Sequence, residues 1–316
     1  MTHARAREPF SVLVASPEWI DAADAWVEQH LDQLGIAVLG PVTSVRVRAW
    51  STQRTVPTSA GTVWFKADCP AMAFEPALHQ LLAVLAPDAV ETPLAIDAER
   101  GWLLTLDHGP SIGDESEVTT AHWQAVVQEA AALQREVSEH RDELLATGLP
   151  DCSPGTVLDR FDSLLDEFDL DAPTTARLAA RRPELADACA ALADTGSQVT
   201  WNHGDLHPWN VHGSPDRPRL FDFGDSQWAH AAEVLAVPFG FCAENPALSW
   251  DGLVDAWREV WEVDRTTFDL AWNAVNFTQP VNRALTWHRC LVAATDAENE
   301  QWGDESRHHL LRILDA

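Results

Sequence analysis

The residues best equipped for chemistry fall between 201 and 225, which read Trp-Asn-His-Gly-Asp-Leu-His-Pro-Trp-Asn-Val and, after a short loop, Arg-Leu-Phe-Asp-Phe-Gly-Asp. Asp205, Asn210 and Asp222 offer two carboxylates and an amide. These are hard oxygen donors, which suit Mg²⁺ and leave one carboxylate free to orient a hydroxyl. The cluster contains no cysteine, which argues against a soft-metal site. His203, His207 and His212 add imidazoles, but their irregular loop spacing argues against a zinc set, and His207 is read as orienting the loop. As an alternative, Asp205 and Asp222 are turn-capping acids and Asn210 forms an Asx turn.

Gly- and Pro-punctuated corners lie on either side of Gly213-Ser214-Pro215-Asp216, so the stretch reads as a hairpin with its polar cluster at the open end. Within it, His203-Gly204-Asp205-Leu206-His207-Pro208-Trp209-Asn210 resembles the H-G-D-x-x-x-x-N loop of the aminoglycoside phosphotransferase and choline kinase-like family, relatives of the protein kinases. Asp222-Phe223-Gly224 resembles that family's metal-binding acid motif. The resemblance implies an α+β, bilobal, protein kinase-like fold, with a small antiparallel-sheet lobe over residues 1–107 and a larger, mainly helical lobe over 108–316. It also implies that Asp205 is the catalytic carboxylate, that Asn210 and Asp222 hold Mg²⁺, and that the phosphoryl donor is ATP or GTP.

The elements that must position these groups follow from periodicity. Ser16-Pro17 opens a helix reaching Leu34, with Trp19, Ala23, Trp26, Val27, Leu31 and Leu34 on one stripe and Gly35 closing it. From Gly40 to Asp68 alternation takes over, with Val42, Val45, Val47 and Ala49 and then Val63, Trp64 and Phe65 as strands. Lys66 ends the second of these, and Glu75 opens a helix over 74–85; the resemblance makes them the phosphate lysine and its carboxylate partner. Trp50 to Thr55, expected to carry the phosphate loop, has no glycine, and Ser51, Thr52 and Arg54 are the candidates there. Gly101 to Gly109 reads as a buried strand entering the connection between lobes, with the nucleotide base expected near Thr105 to Asp107.

Helices are expected over Thr120–Ala146, Thr156–Phe168, Pro183–Ala193, Trp250–Trp261 and Phe268–Trp287, with a strand over Gln198–Trp201 after Gly196. Acids crowd the stretch from 221 to 264 against the lone Arg258, which suits an amine-bearing acceptor. Asp225 and Glu233, nearest the motif in sequence, are the candidate acceptor-binding acids, while Trp209, Trp228 and Trp250 are candidates to stack on its rings. Asp255, Glu259 and Glu262, at helical spacing, read instead as a solvated face.

Composition bounds the rest. The chain has 316 residues, 46% of them hydrophobic, enough for a large core. A formal net charge of −28 disfavours nucleic acid and anionic membranes and favours a neutral or cationic small molecule. No apolar run is long enough for a membrane span, and Phe10 to Ala15 is too short for a signal-peptide core, so a cytoplasmic monomer or homodimer is expected. Cys69, Cys152, Cys189, Cys242 and Cys290 are far apart and unpaired in motif, as expected of reduced thiols. The activity expected is phosphoryl transfer to a hydroxyl of an antibiotic-like acceptor such as an aminoglycoside or another sugar- or nucleoside-containing compound. A metabolic sugar, choline or amino-alcohol kinase is the alternative, and a nucleotide-binding pseudokinase a more distant one.

Overall fold

The computed structural model describes residues 8–114, 117–194, 198–214 and 217–316. Gly196 and the turn residues Pro215 and Asp216 lie outside the described residues.

Two helices, α1 (Phe10–Leu13) and α2 (Pro17–Gln33), open the amino-terminal lobe. Ser16 Oγ accepts the Trp19 N–H at 3.3 Å and Pro17 fills the first helical position, so α2 begins where its cap dictates. Strands β1 (Thr43–Val47), β2 (Ser51–Thr58) and β3 (Gly61–Asp68) precede α3 (Glu75–Leu85), β4 (Ala95–Asp97) and β5 (Trp102–Leu106). The strands make one antiparallel sheet in the order β1-β2-β3-β5-β4.

Strand alternation decides what each face of this sheet does. Val56, Val63, Phe65 and Ala67 are buried under α2, where Trp19 and Trp26 pack on Phe65 and Trp102 with ring centroids 5.6–6.1 Å apart. The opposite face carries Gln53 and Lys66, directly paired across β2 and β3. That face looks into the cleft.

The rest of the chain supplies α4 (Thr120–Val137), α5 (Arg141–Ala146), α6 (Val157–Glu167), α7 (Ala172–Ala180), α8 (Arg182–Asp194), β6 (Val199–Asn202), β7 (Val211–Ser214), β8 (Arg217–Leu220) and β9 (Gln227–His230). Helices α9 (Ala236–Glu244), α10 (Trp250–Trp261), α11 (Arg265–Leu291), α12 (Asp296–Trp302) and α13 (Glu305–Leu311) complete it. The architecture is bilobal α+β, with a small antiparallel sheet lobe and a larger helical one. The single helix expected over Thr120–Ala146 is two, because the chain leaves the helical path between Ser138 and His140. Helix α11 runs long enough to serve both lobes: Val281 and Ala284 are in the helical core, whereas Cys290 and Leu291 join the core beneath the sheet. Beside them, Trp50 of the β1–β2 loop packs edge-on against Trp287 and Trp302, each 5.4 Å away.

All five cysteines are free thiols. Among the described residues no helix is long and apolar enough to cross a membrane.

Candidate active site

The two motif loops are locked to each other before any side chain faces the cleft. His203 is fully buried, with Nε2 3.0 Å from the Phe221 carbonyl oxygen, and the Phe221 N–H donates to the Asn210 carbonyl at 3.1 Å. Burial lowers the His203 pKa to about 4, so its ring is neutral and donates to Phe221. Gly204 has φ +78°, and a Cβ built there would lie 1.9 Å from the Asp225 carbonyl oxygen, so only glycine permits the approach. Asp222 also adopts a left-handed conformation, at φ 65°, unusual for a non-glycine residue and held here by its neighbours.

One ammonium sits among three carboxylates. Lys66 Nζ lies 2.5 Å from Glu75 Oε2, 2.6 Å from Asp222 Oδ1 and 3.6 Å from Asp68 Oδ1. Burial favours the neutral amine, but Asp222, Asp68 and Glu75 outweigh it and raise the lysine pKa well above its ordinary value. Asp222 is lowered despite burial, through Lys66, whereas burial and then the Glu75 charge push Asp68 well above the usual carboxylate range. Glu75 ties the lobes together as well, since its Oε1 accepts the Phe223 N–H at 3.0 Å.

Asp205 lies on the facing loop. Its Oδ1 is 3.4 Å from Arg283 Nη2 and its Oδ2 is 3.4 Å from His207 Nε2. Burial opposes ionisation, but His207 and Arg283 prevail and hold Asp205 well below the usual carboxylate range. A carboxylate that stays ionised can accept the hydrogen bond of an incoming hydroxyl. Asn210 donates through Nδ2 to the Asp205 carbonyl oxygen at 3.0 Å, which leaves its Oδ1 as the end available to a cation.

Arg283, from α11, is not legible in the motifs, and it joins Asp205 and Asp225. Its Nη1 donates to Asp225 Oδ1 at 2.5 Å and to the Gly204 carbonyl at 3.3 Å, while Nη2 reaches Asp205. Burial, and then the charges of Asp205 and Asp222, push Asp225 up to about 6 in spite of Arg283. Around the cleft, among the described residues, the five acids Asp68, Glu75, Asp205, Asp222 and Asp225 are ion-paired with Lys66 and Arg283, and the Arg46 charge also acts on Asp222. Such a surplus of hard oxygen donors would repel a polyphosphate, and it fits a divalent cation of the Mg²⁺ type.

The cavity between the lobes is lined by Gln53, Trp64, Lys66, Glu75, His79, Leu103, Thr105, Asp107, His108, Gly109, Phe221 and Asp222. Thr105 and Asp107 are thus on its wall, but the Asp107 N–H is already given to the Thr62 carbonyl at 2.9 Å and is not available to a base.

Other expected site residues lie elsewhere. The stretch from Ser51 to Thr58 is strand β2, and the loop before it is Arg48 to Trp50. Arg54 faces α2, donating to Asp24 at 2.5 Å, and Thr52 donates to the Arg46 carbonyl, so neither meets the cleft. Ser51 shares the face of Lys66 but is buried opposite Asp68, and Gln53 takes the place facing the cavity.

Glu233 is a core carboxylate, not a wall of an acceptor pocket. Its Oε1 accepts from Thr278 at 2.8 Å and its Oε2 from Asn282 at 2.9 Å, and burial pushes its pKa up to about 7. Trp228 is 3% exposed, paired with Trp201 across β6 and β9, and cannot stack on a ligand. Trp250 packs against Phe239 and Trp272. Trp209 is the exception at 44% exposed, resting on Phe241 with ring centroids 6.0 Å apart. A Cβ on Gly113 would strike that ring at 2.5 Å, so the absence of a side chain at 113 sets where the indole lies.

The sequence model of the phosphotransferase enzyme family matches residues 59–267. Curated proteins yield no match. Solved structures with the same fold include the GDP complex of aminoglycoside 2'-phosphotransferase-IIIa, 14% identical, covering 93% of this chain and 98% of that one with a TM-score of 0.62. The choline kinase LicA from Streptococcus pneumoniae is 16% identical, with 92% and 97% covered and a TM-score of 0.59. The amicoumacin kinase hAmiN in complex with AMP-PNP, Ca²⁺ and Ami is 12% identical, with 95% of this chain and 96% of that one covered and a TM-score of 0.57. With more than half of its length matched by that model, the chain belongs to the phosphotransferase enzyme family.

Proposed function

We propose that this enzyme transfers the γ-phosphoryl group of ATP or GTP to a hydroxyl of a small, antibiotic-like acceptor, an aminoglycoside or another sugar- or nucleoside-containing compound. The observation that carries this reading is the meeting of Lys66, Glu75 and Asp222 from two lobes across a cleft from an ionised Asp205.

Each residue then has a physical task. Lys66, held by Glu75, sets a fixed positive charge against the nucleotide phosphates. Asp222 and the Asn210 oxygen would hold Mg²⁺, which when bound neutralises phosphate charge. Asp205 orients the acceptor hydroxyl and accepts its hydrogen bond, and its low pKa keeps it ready to do so at neutral pH. Arg283 fixes the direction of Asp205 by holding one of its oxygens. Trp209, exposed beside His207, offers an apolar face to an acceptor ring. An amine-bearing acceptor is favoured because carboxylates outnumber cations around the cleft and the whole chain is acidic.

Purified protein incubated with ATP or GTP, Mg²⁺ and a panel of aminoglycosides, macrolides, nucleoside antibiotics, sugars, choline and amino alcohols tests the reading. Mass spectrometry should find one added phosphoryl group on an antibiotic-class acceptor. Modification of choline or a simple sugar alone would replace the acceptor assignment. Nucleotide binding without transfer to any acceptor would overturn the proposed activity.

A further inference from the structure

We propose that Glu91, His108 and His212 form a second cation site, separate from Asp222 and Asn210, that takes a transition-metal ion of the Zn²⁺, Co²⁺ or Ni²⁺ class. The three residues come from three segments that meet at the junction of the lobes: the stretch between α3 and β4, the connection after β5, and β7. One ligand atom from each lies within 4.8 Å of the other two.

The contacts among them bring three potential ligands within reach of one ion. Glu91 Oε2 is 3.0 Å from His108 Nδ1, while Oε1 is 3.5 Å from Arg219 Nη1, so the two oxygens already serve different partners. A cation on Oε2 would leave Oε1 with Arg219, which holds the carboxylate in place. The His108 and His212 rings stack with centroids 4.3 Å apart and planes 10° from parallel. His212 is 4% exposed, and its Nε2 is buried with no hydrogen-bond partner. A buried imidazole nitrogen left unpaired costs free energy that hydrogen bonding or a metal bond would recover.

Two imidazoles and one carboxylate select borderline transition ions over Mg²⁺, which prefers an octahedron of oxygens. Seating a tetrahedral ion requires one ring to turn about χ2, a broad torsion. The Glu91 side chain is 36% exposed and gives solvent a way in. Because His108 also lines the nucleotide cavity, a bound ion would pin that wall to β7.

The test is a Co²⁺ titration of the full chain, free of any histidine tag and in excess Mg²⁺, read by visible absorption, with Zn²⁺ competing. One Co²⁺ per chain should bind, displaced by Zn²⁺, with the same affinity in wild type and in Asp222→Asn. Affinity should fall at least ~10-fold in Glu91→Gln and in His108→Gln, no less than the loss of an outer-shell partner brings. His212→Asn should abolish binding; if this buried variant does not fold by circular dichroism, the two partly exposed positions carry the test. No saturable binding in wild type, undiminished affinity in Glu91→Gln and His108→Gln, or loss of binding in Asp222→Asn would each overturn the site.

Discussion

Arg283→Met is the perturbation that most sharply separates a positioning role from a structural one. In the folded chain the guanidinium lies 3.4 Å from Asp205 and 2.5 Å from Asp225, almost out of solvent. At an effective dielectric of about 20, opposite charges 3.4 Å apart attract by roughly 5 kcal/mol. Solvent entering the enlarged space and rotation of the carboxylates would cancel half or more of that. Since each ~1.4 kcal/mol moves a pKa by one unit, the Asp205 carboxyl should titrate roughly one to two pH units higher. Asp225, already up at about 6, would rise with it because the two acids then face each other directly.

The sign follows from which form works. If transfer needs ionised Asp205, the acid limb of kcat/KM that reports this carboxyl should move to higher pH by that amount, while at neutral pH Asp205 stays ionised. Arg283→Lys, which restores one positive charge without the fork, should shift the limb less. Removing one partner of a buried pair also costs about 3–5 kcal/mol of stability, so unfolding must be followed in parallel. A variant that is destabilised but keeps the wild-type pH profile would refute the positioning role and leave Arg283 a structural residue.

Glu233→Gln should flatten one component of the pH dependence of stability. The Glu233 pKa is raised in the folded chain to about 7, so its protonated form favours folding, and that contribution is lost as pH rises from about 4.3 through 7. Wild type should therefore lose about 3 kcal/mol relative to the variant between pH 5 and 8, measured by urea unfolding; a constant difference would contradict it. Lys66→Met removes the one ammonium among Glu75, Asp222 and Asp68, and should lower kcat/KM on the order of 10²–10³-fold in steady-state assays. Trp50→Ala takes a half-buried ring away from Trp287 and Trp302 and should cost roughly 2 kcal/mol, less than a fully buried tryptophan, with a matching loss of thermal stability.

The candidate hairpin is legible because its residues are local: Gly204, Asp205, Asn210 and Asp222 fall within one short stretch whose spacing is itself the signal. The same holds for Ser16-Pro17 and the start of α2. Arg283 could not be read, since it lies 78 residues from Asp205 and nothing in α11 distinguishes it from an ordinary helical arginine. Glu233 is expected in the acceptor pocket because it is near the motif in sequence, but the turn after β9 carries it into the core against α11, and Trp228, expected to stack on a ligand, is buried where β9 pairs with β6. Strand β2 reads as a loop because polar residues occupy both its faces. Arg54 is polar on the covered face only because Asp24, thirty residues earlier on α2, meets it there. The junction of Glu91, His108 and His212 is equally invisible in one dimension, as no two of the three are close in sequence.

The most direct measurement is a comparison of wild type with Asp205→Asn, a change that keeps the shape of the side chain and removes its charge. With an acceptor that wild type modifies, the variant should bind ATP or GTP with Mg²⁺ at near wild-type affinity in calorimetry and yet show no phosphorylated product in a single-turnover experiment. Phosphoryl transfer by Asp205→Asn at the wild-type rate would contradict the assignment of Asp205 and, with it, the account of how this cleft works.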